Sequence, residues 1–167
     1  MKGQLNETNK LNESNMFYGY LSSPMGNIEI EACEDALISV SFVDDSTYEE
    51  SDIPIIQQAK TEFSEFFEGK RNIFDVKYKL SGTDFQIAVW KALTEIPYGK
   101  TVSYGYIAQK VGNPKASRAV GGANNKNKLA IIVPCHRVIG ANNKMVGYAG
   151  GLWRKEGLLQ IESQNKF

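Results

Sequence analysis

The sequence predicts an α+β fold, with a small antiparallel sheet and a helix in the N-terminal part. A winged helix-turn-helix-like domain follows at the C-terminal end and carries the chemistry. Three observations predict it. Short β-prone runs separated by turn residues follow one another from Phe17 to Phe42. Beyond Ile55 the apolar spacing becomes helical. Two short helical segments then meet at Gly112-Asn113, inside a stretch where basic residues outnumber acidic ones.

Each element has its own signal. Met1 to Asn15 is rich in Asn, Lys, Glu and Gln, lacks the apolar core of a secretory leader, and is expected to be a disordered tail (1–15). Phe17–Leu21, Ile28–Cys33 and Leu37–Phe42 are expected strands of a meander, with turns at Ser22-Ser23-Pro24-Met25-Gly26-Asn27 and Glu34-Asp35. Cys33, on a strand, is expected to be buried and inert. Ile55, Ile56, Ala59, Phe63, Phe66 and Phe67 recur at helical spacing and Gly69 closes that helix. Ile73–Leu80 reads as a further strand or an extended linker. Ser81-Gly82 marks the boundary between a scaffold domain (16–80) and the C-terminal domain (81–167).

In the second half, Thr83 and Gln86 have the spacing of a capping box for a helix reaching Glu95. Pro97-Tyr98-Gly99 stops the chain there. Ser103 is expected to cap Tyr104–Val111, with Gly112 ending that helix in a left-handed conformation. Asn113 is expected to cap the next helix, with Pro114 at its first position, and that helix to run to Asn124. Leu129–Val133 and Met145–Tyr148 are expected strands on either side of a turn at Ala141-Asn142-Asn143, resembling a wing. Leu152–Glu162 is the closing helix.

The 167 residues carry no net charge, yet the charge is divided unevenly. Residues 1–80 hold 7 basic and 15 acidic side chains, and residues 81–167 hold 12 basic and 4 acidic ones. A basic half of this kind suits phosphates. No apolar run is long enough to span a bilayer. Two cysteines, Cys33 and Cys135, and no leader predict a cytoplasmic, reduced protein, the compartment a reactive thiol needs.

The chemistry concentrates in Ile132-Val133-Pro134-Cys135-His136-Arg137-Val138-Ile139-Gly140. It sets a thiol beside His136, the sole histidine. A thiolate is a strong nucleophile and imidazole takes its proton near neutral pH. Three readings compete. A lone buried cysteine is ordinarily inert. A zinc site needs three or four ligands, which one histidine and two distant cysteines do not supply, so no metal is expected. A cysteine hydrolase needs its histidine within reach of the sulfur, and adjacent side chains diverge, so a bridging water would have to connect them.

A second signal lies in Asn113-Pro114-Lys115-Ala116-Ser117-Arg118-Ala119-Val120-Gly121-Gly122-Ala123-Asn124. Most of these side chains are small, and two glycines cost about 1 kcal/mol each in a helix. The gain is either tight helix packing or close approach to another surface. One long cation, Arg118, stands among the small residues.

The order Pro134-Cys135-His136-Arg137 downstream of a helix-turn-helix resembles the O6-alkylguanine-DNA alkyltransferases, from about Thr83 to Glu162. The resemblance implies alkyl transfer from O6 of guanine, and less strongly O4 of thymine, in double-stranded DNA to Cys135, once per molecule and without a cofactor. By the same resemblance Glu162 orients His136, which takes the thiol proton through water. Tyr104 donates to the departing guanine oxygen, and Asn127 braces the active-site turn. The glycine-rich helix enters the minor groove and Arg118 replaces the flipped nucleotide. Tyr104, Gly105, Asn113, Lys115, Ser117 and Ala141 complete the DNA contacts, with Lys126 and Lys128 near phosphates. Val138, Gly147, Tyr148 and Ala149 form the pocket for the extruded base. The expected state is a monomer away from membranes.

This chain departs from the family pattern in three places. Ala149 stands where some members have serine, Lys128-Leu129-Ala130 replaces a proline-bearing stretch, and Gly157 replaces a large apolar residue. The last is expected to leave a cavity near Trp153. Two rivals explain part of the pattern. A non-catalytic lesion binder would lack the cysteine, and a winged-helix regulator would leave Pro134-Cys135-His136-Arg137 without a purpose.

Overall fold

The computed structural model describes residues 16–167. The expected tail lies outside the described residues. β1 (Phe17–Ser23), β2 (Gly26–Ala32) and β3 (Leu37–Val43) form an antiparallel sheet in that order. Phe17 stands opposite Ala32 and Ser23 opposite Gly26, so the β1–β2 turn holds Pro24 and Met25. Alternation then sends Ile28, Ile30 and Ala32 into the core. There they meet α1 (Pro54–Phe67), which presents buried Ile56, Ala59, Phe63 and Phe66. Proline opens this helix, where its missing N–H costs nothing.

Residues 73–80 run extended beside β3. Leu37 N–H donates to Lys77 O (2.8 Å) and Lys79 N–H to Leu37 O (2.9 Å). The pairing amounts to a single bridge, so the segment is a linker rather than a strand.

The capping box of α2 (Asp84–Thr94) is complete, with Gln86 N–H donating to Thr83 Oγ1 (3.1 Å) and Thr83 N–H to Gln86 Oε1 (3.0 Å). β4 (Val102–Ser103) leads into α3 (Tyr104–Lys110), whose cap Ser103 accepts from Tyr106 N–H. Gly112 adopts φ +81°, the left-handed joint expected of it.

The next helix differs from expectation. α4 spans Ser117–Asn125, with Ala116 as cap, so Asn113 caps nothing and Pro114 lies outside the helix. Ala116 N–H donates to Asn113 O (3.0 Å), closing residues 113–116 into a turn. The residue before a proline is pushed out of the helical region, which fixes the turn there.

Neither expected wing strand forms. Leu129–Val133 folds back on itself, with Val133 N–H donating to Leu129 O and Ile131 in a left-handed conformation at φ +72°. Met145–Tyr148 is irregular. A 3-10 turn (Cys135–Arg137) leads instead into β5 (Val138–Ile139), which pairs in parallel with β4. The expected turn at Ala141–Asn143 is present as a second 3-10 turn, and α5 (Leu152–Gln164) closes the chain.

Gly157 leaves no hole. Met25, from the β1–β2 turn, lies so close that a Cβ at position 157 would collide with its sulfur. Cys33 is half-buried rather than sealed: its thiol donates to Asp35 Oδ1 (2.9 Å), and Lys79 Nζ lies 3.8 Å from the sulfur.

Candidate active site

The β4–β5 pair places the nucleophile. It sets Val138 beside Val102 and Ile139 beside Ser103, so the 3-10 turn ends next to the start of α3. Cys135 is therefore buried at the base of the helix-turn-helix, near Tyr104.

Side-chain amides hold the turn in shape. Asn127 Nδ2 donates to Val133 O (2.8 Å) and Leu129 O (3.4 Å), and its Oδ1 accepts from Leu129 N–H (3.0 Å). Asn124, buried on α4, donates to Cys135 O (3.3 Å). These bonds hold Ile131 in a conformation costing about 1–3 kcal/mol for a β-branched residue.

His136 is fully buried, and its Nε2 lies 2.6 Å from Glu162 Oε2. Its Nδ1 is buried with no protein partner. Glu162 also accepts from Arg137 Nε (2.8 Å), Arg137 Nη2 (2.9 Å) and Gly99 N–H (3.1 Å). Arg137 in turn donates to Ile96 O (2.7 Å) and faces the Tyr98 ring. Burial alone would raise the Glu162 pKa, but the hydrogen bonds from His136 and Arg137, with the Arg137 charge, outweigh it and lower it to about 2. Burial pulls the His136 pKa below its usual value, against the pull of Glu162. The pair is thus an ionised carboxylate holding a neutral imidazole.

Burial pushes the Cys135 thiol upward, opposed by the Asn127 amide and the charge of Lys155. Lys155 is fully buried, and its ammonium donates to Val146 O (2.7 Å) and Gly147 O (3.3 Å). Tyr104 Oη donates to the same Val146 carbonyl (3.2 Å). Burial, then the negative charge Cys135 takes on when ionised, raise the Tyr104 pKa, so its hydroxyl keeps its proton.

Sequence reasoning missed Lys155, Asn124 and the bridging role of Arg137. A signal existed for Lys155, which shares a helix face with Leu158 and Glu162, at i, i+3 and i+7.

A cavity of about 180 Å³ opens on Cys135. Tyr148 and Ala149 line it, together with Asn127 and residues of β3. Val138 and Gly147 do not line it. Val138 is a buried strand residue, and the Gly147 carbonyl accepts from Lys155.

On α4, Val120, Ala123 and Asn124 face the core, while Arg118, Ala119 and Gly122 face out. A Cβ at Gly122 would meet nothing within 4 Å, and one at Gly121 would touch Tyr104 only at ordinary contact distance, 3.8 Å. Internal packing therefore does not demand these glycines. Asn113, Lys115 and Ala141 are exposed, and Gly105 and Ser117 are half-buried where α3 approaches α4.

A buried thiol behind a helix-turn-helix, with its neighbouring imidazole locked to a carboxylate, defines a class of nucleophilic-cysteine proteins built on a DNA-binding scaffold. Residues 84–164 match the family model described as 6-O-methylguanine DNA methyltransferase, DNA binding domain, and residues 16–80 match that of its ribonuclease-like domain. The methylated-DNA–protein-cysteine methyltransferase of Methanosarcina acetivorans is 50% identical over 155 residues, covering 88% of this chain and 98% of that one. That of Mycobacterium tuberculosis is 46% identical over 151 residues, covering 87% and 91%. The solved M. tuberculosis O6-methylguanine methyltransferase superposes with TM-score 0.82 at 43% identity, covering 91% of this chain and 95% of that one. The M. tuberculosis OGT structure in complex with DNA gives TM-score 0.82 at 43% identity, covering 89% and 93%. The chain belongs to the 6-O-methylguanine DNA methyltransferase family and is an enzyme of that family.

Proposed function

We propose that the protein repairs double-stranded DNA by moving a methyl or small alkyl group from O6 of guanine, and less readily O4 of thymine, onto Cys135. The observation that carries this is the buried Cys135 adjoining a neutral His136 fixed by an ionised Glu162. The Cys135 sulfur forms a bond to the alkyl carbon, while the carbon–O6 bond breaks and leaves its electron pair on guanine. The thiol proton passes to His136, by way of a water at Nδ1, and the departing base takes up one proton. Tyr104, kept protonated, donates a hydrogen bond to the oxygen as its charge develops. The product thioether is stable, so each molecule acts once. Thiol, base and hydrogen-bond donor are all side chains of this chain, and the step calls for no cofactor.

DNA is engaged through the exposed face of α4. Its glycines are free of internal duty, so their smoothness serves an outside surface about 6 Å wide, the minor groove. Arg118 fills the gap left by the extruded base, and Asn113, Lys115, Ser117, Gly105 and Ala141 contact the backbone. A single copy suffices. No described helix is long and apolar enough to cross a membrane.

The test is to incubate the protein with duplex DNA carrying one O6-methylguanine and weigh the intact protein. A gain of one methyl group, mapped to Cys135 and lost in Cys135→Ala, is expected. Tight binding to the damaged duplex with no mass gain would point to a lesion binder, and equal affinity for undamaged duplex to a regulator.

A further inference from the structure

The N-terminal sheet reaches the reaction site. The cavity on Cys135 is lined by Val40, Ser41 and Phe42 of β3 as well as by Tyr148 and Ala149. Arg154 binds that wall to the loop. Its Nε donates to Met25 O (2.7 Å) in the β1–β2 turn, and its Nη1 donates to Gly150 O (2.9 Å). Its guanidinium lies 4.6 Å from the ring centroids of both Phe42 and Trp153, a three-layer stack. Gly150 is pressed against Phe42 so closely that a Cβ there would lie 3.3 Å from the ring. Part of the cavity wall thus belongs to the other half of the chain, where Val40 and Phe42, on one face of β3, supply apolar surface.

We infer that β3 forms the subsite for the alkyl substituent, with the Phe42 ring setting how large a group on O6 can reach Cys135. This rests on the alkyl-transfer reading above. It gives the first 80 residues a part in substrate choice, through a wall that one arginine keeps in register with the pocket loop. The reaction is unchanged: the sulfur–carbon bond forms as the carbon–O6 bond breaks, and only the group on that carbon differs. A benzyl ring carries six more carbons than a methyl group and must find apolar room. In pockets of this kind even one methylene changes selectivity by about 10-fold or more.

The experiment compares the rate of transfer from O6-benzylguanine and O6-methylguanine in the same duplex, read by intact mass, for the full chain and two variants. Phe42→Ala enlarges the wall and is expected to raise the benzyl-to-methyl ratio about 10-fold. Phe42→Leu removes less of the wall and is expected to raise the ratio in the same direction by a smaller factor. Thermal melts confirm that the variants are folded, and the second stands in should the first unfold. A folded variant whose ratio equals that of the wild type overturns the subsite. Wild-type protein that accepts neither group overturns the alkyl-transfer reading itself, and the subsite with it.

Discussion

Glu162 Oε2 lies 2.6 Å from His136 Nε2, and both side chains are buried. Folding changes the proton affinity of both groups. The Glu162 pKa falls from 4.5 to about 2, so its contribution is full above 4.5 and is lost as pH falls toward 2. His136 is held below its usual 6.5, so beneath that pH the unfolded chain gains a proton that the folded chain refuses. Stability therefore declines from about pH 6.5 downward, by at most about 1.4 kcal/mol per pH unit for each proton. Urea unfolding at a series of pH values measures it. His136→Gln should flatten the curve between 6.5 and 4.5 and also soften the lower limb, since His136 helps to hold the Glu162 pKa down. A variant curve parallel to that of the wild type would contradict the assignment.

Removing the carboxylate strands a cation. Among the described residues, Glu162→Ala leaves Arg137 with the Ile96 carbonyl and the Tyr98 ring but no counter-charge, and is expected to cost about 3–5 kcal/mol of unfolding free energy. Glu162→Gln retains the shape but not the charge. It should slow alkyl transfer about 100-fold while leaving affinity for damaged duplex close to that of the wild type. Single-turnover rates beside binding isotherms separate the two effects.

Gly122 separates folding from recognition. Its site has room for a side chain and ordinary helical backbone, so Gly122→Ala should stabilise the protein by about 0.8 kcal/mol. Gly122→Leu should stay folded yet lose binding to damaged duplex by about 10-fold or more, as the side chain meets the groove floor. A thermal melt and a fluorescence anisotropy titration of the same sample decide it. Unchanged affinity would remove α4 from the interface.

Met25 and Gly157 should behave as one unit. Gly157→Leu alone collides with Met25 and is expected to cost about 1–3 kcal/mol. Met25→Ala opens space opposite it, so the double variant should recover more than half of that loss. The coupling energy from a double-mutant cycle is the test, and simple additivity would show the two sites to be independent.

Much of this molecule was legible in its sequence. The meander, α1 and the Thr83–Gln86 box are written in local spacing, and each formed as read. The segments that misled were those whose backbone is satisfied by side chains from elsewhere. Leu129–Val133 has a strand's composition, but Asn127 takes Leu129 N–H and Val133 O and folds the run back. Met145–Tyr148 gives its carbonyls to Lys155 and Tyr104 instead of to a neighbouring strand. Around Cys135, the His136–Glu162 pairing was accessible only through family resemblance, since 26 residues separate the partners. The Met25 plug over Gly157 had no local signal, because it depends on how a distant turn docks.

The bridges flanking the sheet have a colloidal consequence. Along β1, Ser51 N–H donates to Tyr18 O and Tyr20 N–H donates to Glu50, which blunts that margin. Along β3, Leu37 exchanges bonds with residues 77 and 79, and Val40 does so with 128 and 130. A bare strand margin is a template on which another chain can stack. Here irregular segments occupy both margins, so neither presents a continuous row of free donors and acceptors. The loop that braces the nucleophile thereby also shields the sheet. Loosening residues 127–130 would cost the protein its chemistry and its resistance to fibre-like self-association together.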